Sequence, residues 1–400
     1  MDTTTRPSTS AMQLIETCYR KSLALLRQNS TPDGILASTR TEKAVDRHYA
    51  SIFGRDTAIC ALGMVASKAP DLVQCARAGL LTLARHQALN GQIPKYVKPD
   101  TGEVDFWYTG CIDATIWWLI AVHIFDRIFP GDRLAGELAP QIALALRWLE
   151  CQEHQVWYLL QQNEASDWAD IMPRSGFVLY TNALWFWFKK LYDIPTALES
   201  RDYANLLFFP FGSFVPKQRR IRLLMHYIRN RAKPTPFYLS FVNFSVWGGE
   251  LDIFGNILAS LTGLADASRA GKITASLLAM RANHPWPIRV VGAPIGQEEP
   301  LWRLYMQRHR QNLPWQYHNG GIWPFVGGFW VILLSRLGKE RESWEELEKL
   351  ALVNQLNNWE FNEWLHGQTG EPMGMPGQSW NAALFILAYH EVLCKARILL

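Results

Sequence analysis

Apolar residues recur at helical spacing along most of this 400-residue chain, and this periodicity constrains its fold more than any other feature. Side chains repeated every three or four positions fall on one face of a helix. Loops rich in Gly, Pro, Asn and Asp separate the periodic segments. The pattern predicts helices over residues 11–27, 57–66, 70–87, 112–128, 140–152, 180–191, 254–261, 322–337, 340–357 and 379–393.

Patterns typical of β-strands are scarce. Short candidates occur at residues 155–160, 238–244 and 288–292. About a dozen helices, joined by loops without a Gly/Ser linker or an abrupt change in composition, are typical of a helical toroid. We therefore expect an all-α chain in which residues 11–400 form one (α/α)₆ toroid, preceded by a polar tail at residues 1–10. Helical bundles and solenoids show the same periodicity. The positions of polar residues in the loops are therefore needed to distinguish these folds from a toroid.

The composition permits a large buried core and disfavours several classes of partner. Hydrophobic residues make up 48% of the chain, and 40 basic residues are nearly balanced by 36 acidic ones, so we expect no nucleic-acid partner. A secretory signal and a run of about 18 apolar residues are both missing from the sequence, so we expect no membrane partner. Six cysteines without a CxxC pair favour the reducing cytoplasm. Assembly into a homo-oligomer is left open.

One stretch, residues 217–233, is locally basic. We interpret it as a solvated face or loop, and the alternative is a site for phosphate or an anionic polymer. The sequence assigns it no function.

The chain has 18 tryptophans. Aromatic faces stack on the apolar C–H faces of sugar rings, while carboxylates, amides and arginines hold the hydroxyl groups. Large aromatic rings also dominate protein cores, so this number alone only suggests a carbohydrate ligand. The loops that precede the helices are more informative about a ligand, because tryptophans and polar residues occur there together.

Charged residues stand at the start of two predicted helices. Arg55 and Asp56 precede one of them, and Asp113 opens another that contains Trp118. Either aspartate could cap its helix by accepting a backbone N–H. In the functional interpretation, the arginine donates hydrogen bonds to sugar hydroxyls and the carboxylate accepts them.

The loop at residues 164–176 interleaves carboxylates with apolar side chains. Asp167 and Asp170 flank Trp168, and Ile and Met follow. A surface loop rarely mixes such residues, so part of this loop is expected to be buried or to line a cleft. Apolar surroundings raise the pKa of a carboxyl group, as a catalytic acid requires near neutral pH.

The loop at residues 314–324 pairs aromatic rings with short polar groups, among them His318, Asn319 and Trp323. No second His or Cys stands at ligand spacing near His318, so the sequence predicts no metal there. We expect no other cofactor either.

The loop at residues 359–372 carries Glu360 and Glu363 between tryptophans, and Gln378 and Trp380 follow it. Inverting cleavage of a glycosidic bond needs one carboxylic acid to protonate the leaving oxygen and one carboxylate to activate water. Such a pair can come from distant loops.

At these loops the sequence resembles two related families of (α/α)₆ glycosidases. The motifs FGRDT at 53–57, WAD at 168–170 and NALW at 182–185 look like the amylo-α-1,6-glucosidase domain of microbial glycogen debranching enzymes. The motifs YHNGGxWP at 317–324 and DxxxWW at 113–118 look more like the alkaline/neutral invertases. Their order and intervals extend the resemblance over most of the chain.

The resemblance implies an inverting glycoside hydrolase that cleaves an α-glucosidic bond of an oligosaccharide or disaccharide. It matches Asp170 to the catalytic acid and Glu363 to the base, with Asp167 and Glu360 as their respective rivals. The substrate-binding candidates are Arg55, Asp56, Asp113, Trp118, Asp167, Trp168, His318, Asn319, Trp323, Glu360, Gln378 and Trp380.

The two resemblances imply different substrates, a branched glucan or sucrose, and both are α-glucosides. Two other classes of function remain open. A sugar epimerase on the same toroid would use bases such as His318 and His366. A carbohydrate-binding protein without activity would keep the aromatic loops and release no product.

Overall fold

The computed structural model describes residues 7–212, 216–244 and 246–399. Two short 3₁₀ helices cover Pro130–Asp132 and Leu304–Arg310. The α-helices in chain order are α1 (Thr9–Asn29), α2 (Glu42–Asp46), α3 (Gly54–Ser67), α4 (Pro70–Arg85), α5 (Ile112–Ile128), α6 (Leu134–Glu137), α7 (Ala139–Glu150), α8 (Leu179–Leu191), α9 (Ala197–Phe208), α10 (Arg219–Arg231), α11 (Ile253–Thr262), α12 (Ala267–Ala279), α13 (Pro324–Arg336), α14 (Glu340–Trp359) and α15 (Ser379–Cys394).

Six of these helices form a closed inner ring. Helices α3, α5, α8, α11, α13 and α15 each contact the next, and α15 packs back against α3. Their side chains are buried on almost every side, as in α3, where all residues from Gly54 to Ala66 are buried. A helix that is apolar all round needs neighbours all round, which a ring enclosed by further helices provides.

An outer layer surrounds this ring. Helices α1, α4, α7, α9, α12 and α14 contact the inner helices and bury only one face each. At Gly63 of α3 the backbone of Ala383 in α15 leaves no room for a Cβ atom, so these two inner helices approach closely. Six inner and six outer helices in alternation confirm the predicted (α/α)₆ toroid.

All ten helices predicted from periodicity are present, and the segment 112–128 agrees at both ends with Ile112–Ile128. The prediction missed α2, α6, α9, α10 and α12. Helix α10 is the informative case, because it coincides with the basic stretch and buries only Ile221, Met225 and Ile228. In α14 the backbone leaves helical geometry at residues 356–358, near the predicted end.

The described strands are short and lie in the loops between the helices. They form four small antiparallel sheets, ordered β1-β2, β3-β4-β5, β6-β7-β8 and β10-β9. The strands are β1 (Ser30–Thr31), β2 (Gly34–Ile35), β3 (Ile52–Phe53), β4 (Tyr96–Val97), β5 (Val104–Asp105), β6 (Gln161–Gln162), β7 (Gly176–Val178), β8 (Phe241–Val242), β9 (Trp364–Leu365) and β10 (Pro372–Met373).

The three predicted strands were wrong in extent or type. Residues 155–160 turn, because the His154 ring accepts hydrogen bonds from the backbone N–H groups of Val156 and Trp157. Residues 238–244 contain only the two-residue β8, and residues 288–292 contain only isolated bridges. Short loop segments can satisfy their polar backbone groups without a continuous ladder.

At the N-terminus, helix α1 begins at Thr9, where the Ser8 side chain accepts a hydrogen bond from the N–H of Ala11. The predicted polar tail at 1–10 is therefore too long, and its residues 1–6 lie outside the described residues, as does residue 400. None of the helices within the described ranges combines the length and the apolar character needed to cross a bilayer.

Candidate active site

A cavity of about 210 Å³ lies where the loops ahead of the inner helices converge. Helices α3, α8, α13 and α15 contribute their first turns or the loops that lead into them. Helix N-termini carry a partial positive charge, which stabilises anionic groups nearby. The lining residues are Arg47, His48, Tyr49, Phe53, Arg55, Asp56, Lys95, Tyr96, Trp168, Asp170, Tyr317, His318, Trp323, Glu363 and Trp380.

Two lining carboxylates come from opposite sides of the ring. Asp170 lies in the Asp170 loop, defined as residues 164–176, which leads towards α8, and Glu363 lies in the Glu363 loop, defined as residues 360–378, which leads into α15. In the order α3, α5, α8, α11, α13, α15, these two helices are three steps apart in either direction. The two carboxyl groups therefore reach one cavity from opposed loops.

Glu363 is buried, with 4% of its surface exposed. Its Oε1 accepts a hydrogen bond of 2.6 Å from the Tyr49 hydroxyl, and its Oε2 accepts one of 2.9 Å from the backbone N–H of Met375. Burial raises the pKa of Glu363 to about 7, although both hydrogen bonds act to lower it. This carboxyl group can therefore gain or lose a proton near neutral pH.

Asp170 lies in a more open setting, with a quarter of its side chain exposed. The Lys95 ammonium stands 3.7 Å from Oδ2, and the Nδ1 of His318 stands 3.7 Å from Oδ1. Burial lowers the pKa of His318 well below its usual value, so this imidazole is neutral. The surroundings of Asp170 are thus less apolar than its sequence neighbours suggest.

An ion-pair network lies below the cavity. Arg55 contacts Asp113, with 3.2 Å between Nη1 and Oδ2, and the Tyr180 hydroxyl donates to the same Oδ2. Asp113 is fully buried and does not line the cavity, whereas Arg55 and Asp56 do. Burial raises the pKa of Asp56 to about 6, opposed by the charge of Arg55. Asp113 therefore orients Arg55 from behind.

Aromatic rings form one wall. His318 stacks on Trp323 with their centroids 5.1 Å apart, and Trp168 meets both rings edge to face. Trp380 also lines the cavity and stacks on Phe325 at 4.1 Å. Buried Nε1 atoms of Trp168 and Trp380 have no hydrogen-bond partner among the described residues. The wall therefore offers mainly apolar ring surface to the cavity.

The two rival carboxylates lie away from the cavity lining. Asp167 is 2% exposed, and its oxygens accept hydrogen bonds from the Gln162 amide and the Ala169 N–H. Glu360 follows the end of α14 and accepts from the Asn357 amide. Asp167 therefore shapes the loop that carries Asp170, and Glu360 belongs to a helix end.

Three further predicted residues lie outside the lining. Trp118 donates its Nε1–H to the carbonyl of Leu80 between two helices. Asn319 holds the backbone of Ile295 through both ends of its amide. Gln378 is fully buried at the end of the Glu363 loop, and its amide has no partner among the described residues.

Sequence reasoning missed several lining residues, above all Tyr49, Lys95 and Tyr317. Lys95 and Tyr317 stand in loops that the sequence marks as rich in aromatic and polar residues, so a signal existed for them. Tyr49 had none, because it follows an ordinary polar segment. In the described part of the chain, no group of three or more His, Cys, Asp or Glu side chains is arranged to hold a metal ion.

The chain is similar to known proteins in part of its sequence and in its fold. Residues 249–394 match the family model of alkaline and neutral invertases, and this segment contains Glu363. No curated protein sequence matches the chain.

Several solved structures share the fold at low sequence identity. A mannosylglycerate hydrolase of family GH63 from Thermus thermophilus, in complex with Tris and D-glycerate, has a TM-score of 0.60 and 14% identity, over 92% of this chain and 99% of that one. A glycosidase variant in complex with glucose has a TM-score of 0.62 and 13% identity, over 97% and 99%. The glucoamylase of Hormoconis resinae has a TM-score of 0.62 and 11% identity, over 96% and 74%.

At these identities the solved structures show the fold alone, and the family model matches residues 249–394, the segment that contains Glu363. The toroid and the family match together make this chain a glycoside hydrolase of the (α/α)₆ type.

Proposed function

We propose that the chain hydrolyses a short α-glucoside with inversion, using Asp170 as general acid and Glu363 as general base. One observation carries the proposal: both carboxyl groups line the same cavity, and they reach it from opposed loops of the ring. Inversion requires about 6.5–9.5 Å between the two groups, so that a water molecule fits beside the sugar.

The environment of Glu363 suits a base. Its pKa of about 7 lies near the pH at which a general base works best. Tyr49 and the backbone of Met375 hold the carboxylate in one orientation. A water molecule bound to Glu363 would thus be activated at a defined position.

Asp170 takes the leaving-group side because the resemblance matches it to the acid and because it lines the cavity opposite Glu363. It is the more exposed carboxyl group of the pair, and the neutral ring of His318 lies beside it. Asp167, which is buried outside the cavity lining, is the weaker candidate for the acid. Glu363 is favoured over Glu360 because it lines the cavity and Glu360 does not.

The cavity fits about one sugar ring. Its volume of about 210 Å³ lies below the roughly 300 Å³ at which pockets for drug-sized ligands begin. Arg55 and Asp56 would bind hydroxyl groups of the glucosyl unit, with Asp113 acting through Arg55. The aromatic wall of Trp168, His318 and Trp323 would stack on the sugar ring.

The aglycone, the group that is released from the glucosyl unit, has three candidates. Sucrose is the first candidate, because the family model of the invertases covers the segment that contains Glu363. The resemblance to debranching enzymes suggests a second candidate, a glucose unit in α-1,6 linkage at the branch point of a glucan. The structural similarity to a mannosylglycerate hydrolase suggests glycosylglycerates as a third candidate.

The test is a panel of sucrose, trehalose, isomaltose, glucosylglycerate, mannosylglycerate and a branched limit dextrin, with detection of the released monosaccharide. Proton NMR of the first product should show the β-anomer of glucose from an α-glucoside. Retention of the α-anomer would contradict inversion. Release from the dextrin and from none of the small sugars would shift the assignment to debranching.

Two outcomes would overturn hydrolysis itself. Interconversion of free sugars without bond cleavage would favour an epimerase, although only His318 of the two candidate histidines lines the cavity, and His366 accepts backbone hydrogen bonds in its own loop. Tight binding of a sugar with no product would favour a binding protein.

A further inference from the structure

A second cavity, of about 530 Å³, lies between helix α10 and the sheet β6-β7-β8. Its volume is within the roughly 300–1,000 Å³ typical of small-molecule pockets. It shares no lining residue with the catalytic cavity. The lining residues are His154, Trp157, Gln161, Gly176, Phe177, Arg220, Leu223, Leu224, Tyr227, Arg231, Val242, Asn243, Phe244 and Trp247.

One row of cross-strand neighbours forms the floor. Gln161 pairs with Phe177, Phe177 pairs with Val242, and Val242 bridges to Trp247. Side chains at paired positions of antiparallel strands share one face of a sheet. Trp157 extends this surface, with its ring 5.2 Å from that of Phe177. The floor is therefore largely aromatic and is built on paired strands.

Helix α10 forms the roof of the cavity with one row of its side chains. Its buried residues pack against the body of the protein, whereas Arg220, Leu223, Leu224, Tyr227 and Arg231 face the cavity. These positions follow the i, i+3, i+4, i+7, i+11 spacing of one helix face. Leu223 and Tyr227 are each nearly half exposed, so this second face lacks a complete partner.

The charges of the cavity are all of one sign. The lining contains Arg220 and Arg231 but no Asp or Glu, and neither guanidinium has an ion-pair or hydrogen-bond partner among the described residues. Between Asp202 and Glu250 the sequence has no acidic residue at all. Eleven helical positions separate the two arginines by roughly 16 Å along the axis. Both ends of the cavity therefore attract an anion.

We propose that this cavity binds a small organic anion with a flat or apolar body, such as an aromatic or aliphatic carboxylate or phosphate. The aromatic floor and the leucines take the body, and one or both arginines take the anionic group through charge-assisted hydrogen bonds. A neutral sugar fits less well, because the lining offers it no carboxylate acceptor.

The experiment titrates the full chain with anilinonaphthalene sulfonate and follows its fluorescence. We expect saturable binding that the double variant Arg220→Gln/Arg231→Gln weakens by about tenfold or more. The matched control, Arg219→Gln/Arg222→Gln, changes exposed arginines of the same helix outside the lining and should stay within about twofold. Leu223→Glu, at a half-exposed position between the two arginines, should abolish binding without unfolding the protein.

Four results would overturn the proposal. The neutral analogue N-phenylnaphthylamine should bind more weakly, and equal affinity for it would remove the anion requirement. Equal losses in both double variants would indicate a diffuse basic surface. Displacement of the probe by maltopentaose would assign a carbohydrate instead. The chain can also be sedimented with vesicles that contain phosphatidylserine. If Arg220→Gln/Arg231→Gln loses this sedimentation but still binds the probe, the arginines serve a lipid surface instead.

Discussion

The Asp170 loop and the Glu363 loop carry the two carboxyl groups of one cavity, yet they are held in different ways. In the Asp170 loop, Arg174 is fully buried and pairs with Glu250 at 3.4 Å and with Asp252 at 3.2 Å. In the Glu363 loop, the strands β9 and β10 pair with each other, and Leu365 exchanges backbone hydrogen bonds with Ile322. Side-chain charge anchors the first loop, and backbone pairing anchors the second.

This difference separates the two carboxyl groups chemically. The backbone-paired loop encloses Glu363 and raises its pKa to about 7, whereas Asp170 keeps a quarter of its side chain exposed beside Lys95. Two carboxyl groups in unlike environments can take unlike roles in one reaction. The comparison therefore yields predictions for each loop.

The largest effect is expected from removal of either carboxyl group. Asp170→Asn and Glu363→Gln should each lower kcat by about 10²–10⁴-fold, which is the contribution of general acid or base catalysis. The matched controls are Asp167→Asn and Glu360→Gln, which change carboxylates outside the lining. Steady-state kinetics on the best substrate of the panel measures all four. A larger loss in Asp167→Asn than in Asp170→Asn would reverse the assignment of the acid.

The next effect concerns the charged anchor of the Asp170 loop. Arg174→Met leaves Glu250 and Asp252 buried without a cation, which should lower the free energy of unfolding by about 3–5 kcal/mol. Burial raises the pKa of Asp252 to about 6, so the loss should be smaller at pH 5 than at pH 8. Chemical denaturation at both pH values measures it. Adding Asp252→Asn should restore part of the stability, and no recovery would contradict the electrostatic cause.

A smaller effect concerns the stability of the Glu363 loop. The folded-state pKa of Glu363, about 7, lies above its ordinary value of 4.5, so its contribution to stability is full below pH 4.5 and is lost as pH rises through 7. Glu363→Gln stays neutral and should stabilise the protein by at most about 3 kcal/mol at pH 8, with little change at pH 4.5. Thermal melts at the two pH values measure this, with Glu360→Gln as control. A gain that does not depend on pH would contradict a buried, titrating carboxyl group.

The smallest effect concerns Tyr49, whose hydroxyl donates a hydrogen bond to Glu363. The Tyr49 hydroxyl lowers the pKa of Glu363, so Tyr49→Phe should raise that pKa further above 7. The acidic limb of the kcat/KM profile should then move to higher pH, and activity at pH 7 should fall by about tenfold. Tyr96→Phe changes another lining tyrosine and should leave the limb in place. An equal shift in both variants would remove the specific role of Tyr49.

Much of the site was visible in the sequence because it occupies loops directly ahead of apolar helices. Arg55, Asp56, Trp168, Trp323 and Trp380 were predicted in this way, and the structure brings all five to one cavity. In a ring of parallel inner helices, every such loop lies at the same end, so local position along the chain predicts proximity in space.

Other site features depend on contacts between distant segments. Asp113 is separated from the cavity by Arg55, although its position at a helix start is like that of Asp56. Tyr49 reaches Glu363 from more than three hundred positions away in the chain. No local pattern distinguishes these cases, because the packing of one helix start against another decides which side chain faces the opening.

The sequence by itself determined the helical class, the order of the aromatic and acidic loops, and the residues from which a carboxylate pair could come. These properties follow from periodicity and composition within short windows. The tertiary structure alone decided which acids share the cavity, which one is buried, and that the basic stretch folds as α10 over a second cavity. Burial and charge contacts arise only after the ring closes, and they set the environment in which each group ionises.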